Sequence, residues 1–185
     1  MTNDPDLLII DRILAGEQSA YADLVDKYKS YAYTIALKII INRGEAEEAA
    51  QDAFIKAYHH LSSFHRESKF STWLYRIVFN TAISYKRKNR QQFQSIDNII
   101  EYGAPDAEGR SEITDKKKYL QLALARLNEA DRTALTLFYL EEFSLEEIAE
   151  ITGMLANTAK VRIHRARQRL ADELKIMLKS EALTL

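Results

Sequence analysis

The stretch Ser144-Leu-Glu-Glu-Ile-Ala-Glu-Ile-Thr-Gly153-Met-Leu-Ala-Asn-Thr-Ala-Lys-Val-Arg-Ile-His-Arg-Ala-Arg167 decides how the chain reads. Ser144 and Glu147 have capping-box spacing, a cap hydroxyl with a carboxylate three residues on. The helix they open lasts only to Thr152, where Gly153 breaks it. A second helix runs from about Ala156 to Lys179. At roughly 100° per residue, Ala159, Ile163, Ala166 and Leu170 share one side, the core side. Asn157, Lys160, Val161, His164 and Gln168 share the opposite side, with Arg165 and Arg167 on its two edges. Such a face suits a DNA major groove: its centre meets base edges and its rims meet phosphates. The short helix, its Ala149 and the turn at Gly153 complete a helix-turn-helix pattern. A plain helical hairpin at the end of a bundle is the competing reading. The acid-free second helix and Gly153 argue against it.

Composition agrees with helices throughout. Of 185 residues, 46% are apolar and 29% charged, with five glycines and two prolines. That is about a third of the usual Gly and Pro share, which excludes a β-sandwich, a collagen-like repeat and a Gly-rich phosphate loop. There is no cysteine, so disulfides, thiolate zinc, iron–sulfur clusters and a Cys nucleophile are excluded. No stretch approaches a membrane span, and Met1–Gly16 carries acids where a signal peptide is basic. The expected location is the cytoplasm.

Upstream, Asp4-Pro5 starts a short helix that Gly16 closes. A long helix carries Tyr21, Leu24, Val25, Tyr28, Ala32, Ile35 and Ile39 on its apolar face, with Gly44 expected as its C-cap. The next runs from about Glu45 to Leu61, and another from Ser71 to about Arg90. From Phe93 to Glu112 helical period is lost among glycines, a proline and acids, and this reads as a linker. Period resumes from Asp115 to Leu127 and from Asn128 to about Glu141. The expected fold is all-α: two small helical domains, residues 1–92 and 113–185, joined by a flexible linker over 93–112, the second domain containing the helix-turn-helix.

The net charge of −1 hides two basic surfaces. No acid lies between Glu67 and Asp97, where six basic residues occur: Lys69, Arg76, Lys86, Arg87, Lys88 and Arg90. None lies between Glu150 and Asp172, which holds Lys160, Arg162, Arg165, Arg167 and Arg169. Acids gather at Glu45–Asp52 and Glu141–Glu150 instead. Basic helix faces are the footprint of phosphate binding, the plainer alternative being solvated helix surface. In the first segment Phe64, Phe70, Trp73, Tyr75, Phe79 and Tyr85 interleave with the charges. Leu74, Val78, Ala82 and Tyr85 face one way; Trp73, Arg76, Asn80, Ser84 and Arg87 face the other. An outward Trp beside arginines and an Asn suits stacking of unpaired bases, unless Trp73 is a packing residue.

On these residues the chain resembles the extracytoplasmic-function (ECF) group of bacterial sigma factors, promoter-recognition subunits of RNA polymerase. Glu45-Ala-Glu-Glu-Ala-Ala-Gln-Asp-Ala-Phe54 resembles the family's polymerase-binding helix. Phe70-Ser-Thr-Trp-Leu-Tyr-Arg-Ile-Val-Phe-Asn-Thr-Ala82 resembles its promoter-melting, −10-reading segment, and Leu140–Gly153 with Thr158–Arg167 its −35-reading helix-turn-helix. The resemblance implies core-polymerase binding, through the beta and beta-prime subunits, at Glu47, Glu48, Gln51 and Asp52. It implies −10 DNA binding at Phe64, Phe70, Trp73, Arg76, Asn80 and Arg87. It implies −35 binding at Asn157, Thr158, Lys160, Val161, His164, Arg165 and Arg167. Promoter DNA and an anti-sigma factor are the other implied partners; no cofactor, metal or membrane insertion is implied. The sequence departs from the family where Leu155 replaces the usual Ser cap of the recognition helix and Ala159 a common Val. The first change removes a capping bond of about 1 kcal/mol and the second leaves less apolar filling under the helix; either implies a slightly looser second domain or a helix start shifted toward Asn157.

Two rival readings are weighed. A helix-turn-helix regulator binding duplex DNA without a melting role explains Ser144–Arg169 but leaves Phe64–Arg90 idle. A metallohydrolase using His59, His60 and His65 fails because adjacent helical histidines point about 100° apart and no HExxH accompanies them. No residue is assigned a catalytic role. With a long linker, the spacing of the two basic surfaces is expected to be undefined in the free chain. Promoter duplex should then bind weakly until polymerase holds both domains.

Overall fold

A computed structural model describes residues 4–92, 112–139 and 142–182. Its first domain contains α1 (Pro5–Leu14), α2 (Tyr21–Ile40), α3 (Arg43–His59) and α4 (Phe70–Gln92). The second contains α5 (Glu112–Arg126), α6 (Glu129–Tyr139), α7 (Leu145–Thr152) and α8 (Ala156–Ala182). Among the described residues there is no strand. The expected linker lies outside the described residues except for Glu112, which begins α5; Leu140 and Glu141 also lie outside them.

Capping chemistry sets the helix boundaries. The Asp4 side chain accepts from the Asp6 amide at 3.0 Å, with Pro5 at the first helical position. Asp6 then turns inward, 4% exposed, to pair with Lys27 at 2.5 Å and accept the Tyr28 hydroxyl, which pins α1 to α2. The junction of α2 and α3 corrects one expectation. Gly44 is not the C-cap; it lies in the first turn of α3, and Ile41 takes the left-handed turn at φ 74°. The cause is Asn42, whose Oδ1 accepts from the Glu45 amide at 3.1 Å and starts α3 immediately. Only Ile41 stands between α2 and Asn42, and it serves as the C-cap, its amide donating to the Leu37 carbonyl.

The face α3 turns inward is built of alanines: Ala46, Ala49, Ala50, Ala53 and Ala57 are buried. Small side chains let α2 and α4 approach closely, and Leu24, Ile35, Ile39, Leu74 and Val78 fill the space between. In the second domain Leu137, Ile148 and Ile151 pack against Ala159, Ile163 and Ala166 of α8. Leu170, the fourth residue expected on that face, is half-buried.

The two domains pack against each other, contrary to the expected undefined spacing. Tyr75 of α4 meets Phe143 edge-on at 5.5 Å between ring centroids. Lys69 pairs with Glu147 at 2.8 Å, and Lys86 with Glu129 at 2.5 Å. Arg132, only 4% exposed, donates its Nε to the Lys38 carbonyl at 2.5 Å and its Nη1 to the Ala125 and Leu127 carbonyls. Lys86 also donates to the Ile39 carbonyl at 3.1 Å. The last carbonyls of a helix lack intrahelical partners and carry partial negative charge. The end of α2 thus supplies acceptors that cations from α4 and α6 satisfy; Arg132, and Lys86 through Glu129, carry this across to the second domain.

Candidate nucleic-acid interface

The α7–α8 unit has the geometry its sequence implies. Ser144 Oγ accepts from the Glu147 amide at 3.1 Å while Glu147 Oε2 accepts from the Ser144 amide at 2.9 Å. Gly153 closes α7 in the left-handed region, φ 71° and ψ 17°. Burial opposes ionisation of Glu147, but the Lys69 ammonium and the Ser144 donors outweigh it and hold its carboxyl below the ordinary value. Leu155 stands 77% exposed immediately before α8 and offers no cap, yet the helix begins at Ala156.

All seven residues expected at the −35 element, Asn157, Thr158, Lys160, Val161, His164, Arg165 and Arg167, are exposed on α8. Arg167 also donates to the Tyr139 hydroxyl at 3.1 Å, which steadies one rim. The other rim borders a cleft of about 500 Å³ lined by Asp131, Asn157, Thr158, Val161, Arg162, Arg165 and Arg169. The sequence reading missed Asp131. It lies 1% exposed near the start of α6, and its carboxylate holds both Arg162, at 3.3 Å, and Arg169. One local signal marks it: Asn128 and Asp131 are three apart, and the Asn128 side chain accepts from the Asp131 amide at 3.0 Å.

On α4, Arg76, Asn80 and Arg87 form an exposed stripe, as their spacing predicts. The aromatics divide differently. Phe64 and Phe70 are buried, and with half-buried Trp73 they form a trio at centroid separations of 5.4–5.7 Å. In this conformation Phe64 and Phe70 are placed to support the indole rather than to meet a ligand. Hydrophobicity draws all three rings inward, and only Trp73 keeps a partly open position at the stripe.

The acidic helix divides too. Glu47, Glu48 and Gln51 are exposed, and Glu47 and Gln51 border a groove of about 540 Å³ between α2 and α3 that Val25, Tyr33, Ala50 and Phe54 make largely apolar. Asp52 turns the other way, accepting the Tyr85 hydroxyl at 2.5 Å. That bond, with burial, pushes the Tyr85 phenol up to about 12. The helical period separates these roles: residues 47 and 51 share a face that residue 52 leaves by one step. His59, His60 and His65 are exposed, and among the described residues no three His, Asp or Glu side chains gather to hold a metal ion.

Residues 24–92 match the model of Sigma-70 region 2, and residues 117–170 that of Sigma-70 region 4. The ECF RNA polymerase sigma factor SigW of Bacillus subtilis is 35% identical over 177 residues, covering 90% of this chain and 95% of that protein. This chain belongs to the ECF sigma factors. The ECF sigma-E factor of Escherichia coli is 30% identical over 94% of this chain and 96% of its own length. Among solved structures, RpoE of Bartonella quintana, crystallised with the anti-sigma factor NepR, superposes with a TM-score of 0.68 at 28% identity, covering 84% of this chain and 97% of that one. CnrH in complex with the cytosolic domain of CnrY shares the fold, with a TM-score of 0.70 at 22% identity over 94% of this chain and 99% of that one. As a sigma factor the protein directs RNA polymerase to promoters and initiates transcription. Among the described residues no helix is long and apolar enough to cross a membrane.

Proposed function

We propose that this sigma factor divides promoter recognition between residues 1–92 and 113–185, with each basic surface serving one element. The face of α8 from Asn157 to Arg167 reads the −35 element in the major groove. The stripe Trp73, Arg76, Asn80 and Arg87 takes the separated strand of the −10 element, with Phe64 and Phe70 holding Trp73 from behind. Glu47, Glu48 and Gln51 meet core polymerase beside the α2–α3 groove, and Asp52 supports that helix through Tyr85. The sigma factor acts in the cytoplasm, contributes no catalytic residue, and has an anti-sigma factor as a further partner, as the Bartonella quintana RpoE does.

The single observation that carries this reading is the exposed polar face of α8 behind the left-handed turn at Gly153, edged by arginines. Major-groove readers need a helix whose base-facing side chains make no contact with their own core. Runoff transcription tests it: core polymerase with and without this chain, on a library of random promoter templates. Chain-dependent transcripts sharing upstream sequences are expected. Specific duplex binding by the chain alone, unchanged by polymerase and without transcripts, would instead mark an independent regulator.

A further inference from the structure

We propose that Asp131 is a positioning residue for DNA discrimination: it fixes the guanidinium groups of Arg162 and Arg169 along one rim of α8. The inference rests on the reading of α8 as the −35 helix.

Asp131 is 1% exposed, and the Asn128 Nδ2 donates to its Oδ2 at 2.8 Å while the Asn128 Oδ1 accepts from its amide. The carboxylate is therefore anchored in the first turn of α6. Its two oxygens then serve different arginines, Oδ1 taking Arg162 and Oδ2 taking Arg169. These arginines lie seven residues apart, two turns of helix along the same edge of α8. Their outer parts remain open, Arg162 33% and Arg169 55% exposed, and both line the cleft that Asn157, Thr158, Val161 and Arg165 share.

One carboxylate under two guanidiniums leaves the rim with a net positive charge, and Arg165 on the same edge adds another. A guanidinium has five donors, so each arginine can bond inward to Asp131 and still offer donors outward. An unheld Arg loses considerable rotamer freedom when it binds a phosphate; a held one has already lost it in folding. Phosphate contacts carry no sequence information of their own, but they set the register in which the neighbouring face meets the bases. Held arginines therefore let Asn157, Val161 and Arg165 reach the bases in one register, and loose ones admit several.

The test uses the full chain with core polymerase and two duplexes: a promoter recovered from the random-template runoff and the same duplex with its −35 element scrambled. Affinities are measured over a range of salt. In Asp131→Asn the preference for the promoter should fall about fivefold, within the range expected for contacting charged residues. Binding to the scrambled duplex should not weaken, because two arginines are released and none is lost. Arg169→Gln should weaken both duplexes and reduce the salt slope by about 1. The double variant should discriminate no worse than Asp131→Asn alone. Undiminished preference in Asp131→Asn, or a proportional loss on both duplexes, would overturn the proposal. If Asp131→Asn unfolds early, Arg169→Lys keeps the charge and loses the fork; it too must lose preference, and full retention overturns the proposal. Lys160→Ala in the same assay separates the two failures. If it keeps every preference, the −35 reading of α8 is wrong. If it loses preference while Asp131→Asn keeps it, only the role of Asp131 is wrong.

Discussion

Ile41 holds φ 74°, a region that L side chains, and β-branched ones above all, adopt at a cost. At most positions Ala is the better tolerated of the two smallest residues, by roughly 0.5–1 kcal/mol over Gly. At residue 41 the order should invert. Ile41→Gly and Ile41→Ala lose the same packing except for the Cβ that Ala keeps, but only Gly relieves the left-handed strain of about 1–2 kcal/mol. Urea midpoints that place the Gly variant above the Ala variant are expected. The acidic helix allows a second prediction at this scale. Glu47 is exposed beside the groove, and Asp52 is bonded to Tyr85. Glu47→Arg should weaken co-purification with core polymerase at an unchanged melting temperature. Asp52→Asn should instead lower the melting temperature and return the Tyr85 phenol from about 12 toward its ordinary value, read by ultraviolet titration.

Among the elements, α8 begins without a side-chain cap, since Leu155 offers only its carbonyl, which accepts from the Ala159 amide at 2.9 Å. Leu155→Ser supplies a hydroxyl for the free amides of the first turn and removes a 77% exposed leucine from water. It should raise stability by about 1 kcal/mol, seen as a higher denaturation midpoint. Elements are also the scale at which the sequence is most legible. Ala159, Ile163 and Ala166 are buried as their spacing predicts because a helix with one packed face leaves an unambiguous period. Ser144 with Glu147 is equally local. Gly44 misleads because a glycine near a helix end competes with Asn42 two residues earlier, and the side chain that accepts a bond prevails. Phe64 and Phe70 show the limit for the site: an aromatic among basic residues has the same sequence signature whether it faces water or supports a ring that does. Asp131 is legible only as the local partner of Asn128; its hold on Arg162 and Arg169 is not, because the packing of α6 on α8 alone brings them to it.

The whole molecule depends on pairs that no local pattern encodes. Arg132 reaches the carbonyl of Lys38, 94 residues earlier, and Phe143 meets Tyr75. Acidity should loosen part of this packing. Glu147 is held below its ordinary value of 4.5, so its contribution is complete above that pH and is lost as pH falls through the depressed value. Lys69 is raised above 10.5 by the same bond, so its side of the pair is lost only in strong alkali. The wild-type chain should therefore lose more stability between pH 7 and pH 4 than Lys69→Ala, in urea midpoints at the two pH values. Equal losses would show that the Lys69–Glu147 bond contributes nothing to the docked state.

The aromatic trio of Phe64, Phe70 and Trp73 has an optical consequence. Trp73 is the only tryptophan in the chain, and it sits half-buried between Phe64 and Phe70 at the edge of the basic stripe. Indole emission shifts and quenches with solvent access and with stacking against a nucleobase, so excitation selective for tryptophan interrogates this one locality. The second domain, with no tryptophan, stays dark. Unlabelled protein can thus report in real time when a separated DNA strand arrives at α4, independently of what α8 is doing.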